Sequence, residues 1–395
     1  MVTLVGQRVF GIALGYEDLN DHDELRHDPL MAVLAGKLEA RRQDCAPVAG
    51  KSTLNRLELS CLEPTRYHKI SHNPVAIKGL FVDLFLEAHD RAPNQIILDL
   101  DATDDPVHGE QEGRFFHGYY DCNCYLPLYV FCGRDLLAAK LRRANIDAAA
   151  GSVEEVARIV AQIRRRWPCV RILLRADSGF AREELMAWCE AAGHFYVIGV
   201  ARNPRLQAQI ADALEEAKTL FENSGTPERV FRDFDWTTID TWSRVRRVVA
   251  KAEHLAGGKP NPRFVVTNLS GRSWAAKRLY EVLYCARGEA ENRIKEQQLG
   301  LFGTRLSTPT LSGNAVRMAM SAAAYALTCA LRRLGLVGSE IADAQADTIR
   351  LRLLRIGALV RITALRIRVS MSASWPWKDL FRDCAARLLA TPRVT

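Results

Sequence analysis

The stretch QIILDLDATDD, residues 95–105, changes the texture of the chain. Upstream of Pro93 apolar residues recur at helical spacing. Here aliphatic and β-branched residues run together and stop abruptly in acids, the pattern of a buried strand. Side chains alternate along a strand, so Asp99 and Asp101, interleaved with Leu98 and Leu100, point to one face at its C-terminal end. Working outward, GEQEG (109–113) reads as a turn, and RFFHGYYD (114–121) and YLPLYVFCG (125–133) read as strands, giving an antiparallel meander. SVEEVARIVAQIRRRW (152–167) is a helix in which Ser152 and Glu155 have capping-box spacing. CVRILLRADSGF (169–180) is a strand that closes on Asp177, AREELMAWCEAAG (181–193) a helix stopped by Gly193, and HFYVIGVA (194–201) a further strand.

The order β-β-β-α-β-α-β joins an antiparallel edge to parallel strands through helical crossovers. It predicts an α/β fold with a ribonuclease-H-like mixed-sheet core. Residues 1–92 read as a helical N-terminal domain and a candidate for DNA binding, although no helix-turn-helix signature marks it. Helices are expected over 18–38, with an apolar face at Leu30, Val33, Leu34 and Leu38, from Ser52 or Thr53 with Leu54, Leu57 and Leu59, and over Val75 to His89. Residues 93–201 form the first part of the core. Residues 202–275 read as a β-rich insertion, with strands at 229–236, 243–255 and 262–270 around the turn GGKPNP (257–262). A long helix, with room for a break, is expected from about Trp274 to Leu299. The core is completed over 276–335, which also holds a hydrophobic helix at 315–334. A helical C-terminal region, 336–395, has a helix near 344–356 and a strand-like tail at 359–372.

The 395 residues are 48% apolar and 25% charged, enough to bury a sizeable core and too hydrophobic for a disordered chain. A net charge of +8 favours a polyanionic partner. Of ten cysteines, Cys122, Cys124 and Cys132 lie closest together, but CxC with a lone Cys and no His pair does not match zinc spacing. Reduced thiols on or beside strands are the expectation. The N-terminus lacks the basic region and small-residue cleavage site of a signal peptide. The most hydrophobic run, 315–331, is short for a membrane span and contains Arg317. A cytoplasmic protein with no membrane partner is expected.

Strand C-termini open onto the functional crevice of an α/β sheet. Carboxylates gathered there repel one another unless a cation lies between them, and a hard ion such as Mg²⁺ suits oxygen donors. Taken singly, each Asp is better explained as a turn former or helix cap. YCARGEAENRIKEQQ (284–298) is more specific. At about 100° per residue, Tyr284, Arg287, Glu291, Lys295 and Gln298 share one helical stripe, although a solvated helix with a Glu291–Lys295 pair also fits. Arg164, Arg165 and Arg166 end a helix, where positive charge is favourable in any case. In the insertion, Arg244, Arg246, Arg247 and Lys251 near Trp236 and Trp242 suit phosphate contact and base stacking, or an edge strand protected by charge.

These motifs carry a resemblance. Tyr284-x2-Arg287-x3-Glu291 resembles the Tyr-Arg-Glu-Lys signature of DDE transposases from bacterial insertion sequences. LDLDAT resembles that family's first-Asp strand, RADSGF its second, and GYEDLNDHDELRHDPL (15–30) one subgroup's N-terminal wording. The likeness spans about residues 8–390. It implies that Asp101, Asp177 and Glu291 are the catalytic triad and the ligands of two Mg²⁺ ions, with Mn²⁺ able to substitute. Asp99 and Asp104 compete for the first position. It implies DNA contact by Tyr284 and Arg287, while Gln298 stands where the family has Lys and Lys295 lies one turn earlier. The insertion residues Arg244, Arg246, Arg247 and Trp242 join the DNA-binding candidates. The activity implied is Mg²⁺-dependent strand cleavage and strand transfer by a homodimer on paired terminal inverted repeats and target DNA, in a bacterial, nucleoid-associated setting. A nuclease without strand transfer and an inactive DNA-binding remnant stay open.

Overall fold

The computed structural model describes residues 1–37, 46–256, 259–363 and 366–391. Helix α1 (Val2–Leu14) opens the chain. The expected helix over 18–38 is instead two short pieces, His22–Leu25 and Pro29–Leu34, because Asp28 caps a new start at Pro29 by accepting the Leu30 N–H. The face that turns inward is not the expected one. Leu25, Met31, Ala32 and Ala35 are buried, whereas Leu34 is 46% exposed, and Leu38 lies outside the described residues. A helix over Lys51–Glu58 buries Leu54 and Leu57 as expected. Helix α2 (Pro74–Glu87) starts where Asn73 accepts the Val75 and Ala76 N–H groups and Pro74 pre-sets the first turn.

β1 (Gln95–Ala102) is central. It pairs antiparallel with β2 (Leu128–Cys132), with Asp99 opposite Phe131 and Asp101 opposite Tyr129. β2 pairs antiparallel with β3 (Asp135–Lys140). Helix α3 (Ser152–Arg166) crosses over to β4 (Arg171–Ala176), and helix α4 (Glu183–Ala191) to β5 (Phe195–Val200). β1, β4 and β5 run parallel. The order β3-β2-β1-β4-β5 is a mixed sheet consistent with the ribonuclease-H-like expectation.

Two local readings need correction. The aromatic stretch 114–121 is not the second strand of the meander. Its strand, Phe115–His117, joins Cys122–Tyr125 and Asp105–Pro106 in a separate three-stranded sheet. The third core strand is β3, whose sequence DLLAAK carries no β-branched residue to announce it. Ser152 is not a cap either. Gly151, at φ 69°, precedes α3, the Ser152 hydroxyl is buried without a partner, and Glu155 binds Arg158 and Lys140.

The region 202–275 begins with helix, at Pro204–Ala208 and α5 (Ala211–Ser224). Its strands β6 (Glu228–Trp236), β7 (Arg246–Leu255), β8 (Lys259–Pro260) and β9 (Arg263–Thr267) then extend the core sheet. β9 pairs antiparallel with β5, Val265 opposite Gly199, so one nine-stranded sheet results. Residues 257–258 of the expected GGKPNP turn lie outside the described residues.

The sheet is covered on both faces, which is why its strands read as nearly unbroken apolar runs. On one face Leu98, Leu100, Leu174 and Ile198 pack against Ile159 and Ile163 of α3, Met186 of α4 and Ala213 of α5. On the other, Leu173, Val197, Val249 and Val265 meet Leu279 and Leu283. These last two belong to α6, a helical run over 276–300 that contains wide turns at Leu279–Tyr284 and Glu296–Gly300 and a tight one at Cys285–Arg287. α7 (Leu311–Leu334) is the expected buried helix. Its Val316, Met320 and Tyr325 join Val9 and Ile12 of α1, Phe81 of α2, and Tyr129 and Phe131 of β2 in one core. Beyond it, Ala346–Leu354 is helical, Ala358–Ile362 pairs antiparallel with Ile367–Met371, and α8 (Lys378–Ala390), not anticipated, follows.

Candidate active site

Strand parity puts Asp99, Asp101, Arg175 and Asp177 on the face that α6 covers. The register Leu100–Ala176 sets Asp101 beside Asp177 at the strand ends. Leu279 and Leu283 anchor the first turns of α6 against the sheet. The stripe that follows then overhangs the strand ends. Asp101, Asp177, Arg287, Glu291, Lys295 and Gln298 line one cleft of about 570 Å³.

Of the three acids read as candidates for the first position, only Asp101 lines it. Asp99 lies one step deeper, 2% exposed, and takes both its oxygens to the Arg175 guanidinium at 2.5 and 2.8 Å. Arg175 also donates to the Leu283 carbonyl at 2.6 Å, tying β4 to α6. Asp104 offers its backbone carbonyl to Gln298 at 3.2 Å. The cap reading and the site reading of Asp177 hold together, because one carboxylate oxygen accepts the Gly179 N–H at 2.9 Å while the residue faces the cleft.

Arg287 lies between two of the acids. It donates to Asp101 at 3.5 Å and to Glu291 on its own helix. Burial pushes the Asp101 carboxyl up to about 6; the Arg287 charge opposes this, and Asp177 and Glu291 add to it. Such a shift marks chiefly a carboxylate withdrawn from water, which the neighbouring guanidinium does not fully offset. Three carboxylates meet the donor chemistry of a hard divalent ion. Among the described residues, however, no three His, Cys, Asp or Glu side chains stand close enough to hold one, and the guanidinium of Arg287 supplies the local cation.

A family model described as Transposase DDE domain group 1 matches residues 1–393. The chain belongs to the DDE transposases. No curated protein matches it. A transposase acts on DNA, and DDE transposases in general use divalent metals. No helix among the described residues of this transposase is long and apolar enough to cross a membrane.

The insertion residues separate once the transposase is seen folded. Arg246, 2% exposed, donates to Glu183 and Glu190 of α4 through all three nitrogens. Arg247 is held by Asp233 and by the Leu269 and Trp274 carbonyls. Trp242 is half-buried with the Arg246 guanidinium 5.6 Å from its ring centre. Arg244 is the exposed member, at 65%, and it too reaches Glu190, at 3.6 Å. The cluster that looked like a phosphate surface is largely an interior charge network, because its acidic partners come from α4 and β6.

Sequence reading missed Gly199. A Cβ there would stand 2.5 Å from the Tyr284 hydroxyl oxygen, 3.0 Å from the Ser178 nitrogen and 3.3 Å from the Asp177 carbonyl carbon. The close approach of β5 to this loop is what a side chain would prevent. Gly199→Ala should therefore push Tyr284 and the Asp177 backbone apart. The expected outcome is at least a tenfold loss of DNA-processing activity, since misplacing reacting groups by about 1 Å can cost 10²-fold, with a folded circular dichroism spectrum. Unchanged activity would mean that the site tolerates the shift.

Proposed function

We propose that this transposase performs metal-dependent DNA strand cleavage and strand transfer for an insertion-sequence element. In this reading Asp101, Asp177 and Glu291 are the catalytic acids, and the chain belongs to the Tyr-Arg-Glu-Lys branch. The observation that carries it is that three acids, distant in sequence, line one cleft. The ions are read as two Mg²⁺, held by these carboxylates, with Mn²⁺ an acceptable substitute. Bound there, divalent ions would supply Lewis acidity at the scissile phosphate and at the leaving oxygen.

The chain's own residues do the rest. Asp101, raised to about 6 without a second cation, has the most to gain from one, because a positive charge stabilises its ionised form. Glu291 and Asp101 can converge on an ion only if Arg287 lets go of them. A phosphate in the cleft gives that guanidinium a bidentate acceptor in exchange. Tyr284, half-buried against Gly199, orients the same phosphate. Lys295, exposed on the cleft wall, takes the point-charge role of the signature lysine. Gln298 is engaged with the Asp104 carbonyl and so fixes the loop after β1. Arg244 is the remaining insertion candidate for a DNA contact. Action as a homodimer on paired terminal repeats, with target DNA as second substrate, belongs to the same proposal.

The test is incubation of the full chain with duplexes carrying the DNA that flanks its gene, in Mg²⁺ or in chelator. Free 3′-hydroxyl ends and joined products are expected only with the metal. Nicking without joining would reduce the activity to that of a nuclease. Stable DNA binding with neither product would remove the catalytic reading.

A further inference from the structure

The strands Ala358–Ile362 and Ile367–Met371 form a two-stranded sheet of their own, apart from the core sheet. The proposed reaction uses no residue of it. Side chains alternate along a strand, so its two faces differ. One face is apolar: Val360 lies across from Val369 and Ile362 across from Ile367. The strand residues that are partly buried, Ala358, Val360 and Ile367, all belong to this face. The opposite face is basic. Arg361 lies directly across from Arg368. The next rung on that side sets Thr363 across from Arg366, whose carbonyl accepts the Thr363 N–H at 2.8 Å. All four of these side chains are exposed.

Like charges directly opposite one another destabilise a strand pair, and here nothing relieves them. Nearby, Arg352 pairs with Glu340 and Arg382 with Asp379. Among the described residues, no carboxylate forms an ion pair with Arg361, Arg366 or Arg368. From Arg355 to Lys378 the sequence contains no Asp or Glu. The insertion shows the reverse, since Arg246 and Arg247 find their acids in α4 and β6. Charge also guards a free strand edge against unwanted pairing, but acids interspersed with the arginines would serve that purpose without the repulsion. A solvent-facing cluster of one sign, in a chain of net charge +8, is complementary to a polyanion. We infer that the face carrying Arg361, Arg366 and Arg368 docks on the phosphate backbone of duplex DNA, outside the catalytic cleft, whose lining includes none of these residues. A planar guanidinium suits a phosphate bidentately. Such contacts fix the position of the protein on the duplex without reading its sequence. The inference rests on the DNA partner of the proposed function, and not on its assignment of catalytic acids.

The probe is a labelled duplex of arbitrary sequence, titrated with the full chain in chelator at several salt concentrations. Arg361→Ala combined with Arg368→Ala should weaken binding roughly 10- to 100-fold at about 0.1 M salt, and flatten the slope of log affinity against log salt by about 1 for each arginine removed. Arg361→Lys combined with Arg368→Lys keeps both charges and should retain most of the affinity and the slope. A second duplex of unrelated sequence should show the same losses. Unchanged affinity and slope in the Ala variant, with the wild type binding normally, would overturn the inference, leave the proposed function standing and reduce the arginines to edge protection. A loss on one duplex and not the other would also overturn it, because base edges would then be the target. A wild type that binds neither duplex would overturn both. Both arginines are exposed and repel each other, so thermal unfolding of the Ala variant should not fall, which separates a lost contact from lost structure.

Discussion

Replacing Asp177 with Asn is expected to lower DNA cleavage on the order of 10³-fold or more, with DNA affinity kept within a few-fold. Asn keeps the size of the side chain and an oxygen that can accept the Gly179 N–H, so the turn Ser178–Phe180 should persist. What is lost is a negative charge at a cleft whose proposed work is holding cations against a phosphate. Transition-state charge stabilisation of that kind contributes several kcal/mol, and about 4 kcal/mol corresponds to a factor near 10³. The proposed DNA contacts in the cleft come mainly from the cations of α6, which the substitution leaves in place. Removing one anion from the cleft would, if anything, ease the approach of phosphate. The measurement pairs a cleavage time course in Mg²⁺ with a binding isotherm. Cleavage at the wild-type rate would take Asp177 out of the site.

The second large effect concerns stability. Arg246→Ala should destabilise the fold by about 3 kcal/mol, the low end of the ~3–5 kcal/mol seen when one partner of a buried ion pair is removed. The guanidinium is 2% exposed, and its partners Glu183 and Glu190 are 27% and 15% exposed, so water relieves part of the cost. Burial alone would raise the Glu183 carboxyl. The hydrogen bonds of Arg246 and Ser243 outweigh it and bring the group down to about 2. Glu190 is lowered for a similar reason, with Arg246 and Tyr196 as donors. A carboxyl lowered on folding stabilises the native state above its unfolded value, near 4.5. That contribution is lost as pH falls from there toward 2. Thermal unfolding of the wild type should therefore weaken through that window, and the slope should be shallower in Arg246→Ala. Equal stability of the two proteins at pH 7 would show that the network contributes nothing net. DNA affinity that falls with unchanged stability would return Arg246 to the nucleic-acid surface.

The two cases differ in how much could be read before folding. Alternation in LDLDA and the stop at Asp177 are properties of the backbone period, so the strands, the face and the approximate end of each acid were legible in the chain. So was the stripe on α6, because helical geometry alone aligns residues 284, 287, 291, 295 and 298. Choosing among Asp99, Asp101 and Asp104 was not a local matter. Asp99 and Asp101 share a face, and only the depth of Arg175 beneath α6 commits the first to an interior pair and leaves the second at the cleft. The buried face of residues 29–35 also escaped, since which side of this short helix turns inward is set by what packs on it, and Met31, Ala32 and Ala35 bury with Leu25 and Val48.

Periodicity and composition were sufficient for the α/β class, the central strands and a carboxylate-rich crevice, because these follow from spacing along a single segment. The fate of each charge followed from contacts between segments far apart in the chain. Arg246 became an internal brace when α4 brought up two glutamates, β9 turned the insertion into an extension of the core sheet by pairing with β5, and Gly199 gained its importance only when Tyr284 packed over it. Burial and pairing are long-range quantities, and no local pattern encodes the partner that satisfies a charge.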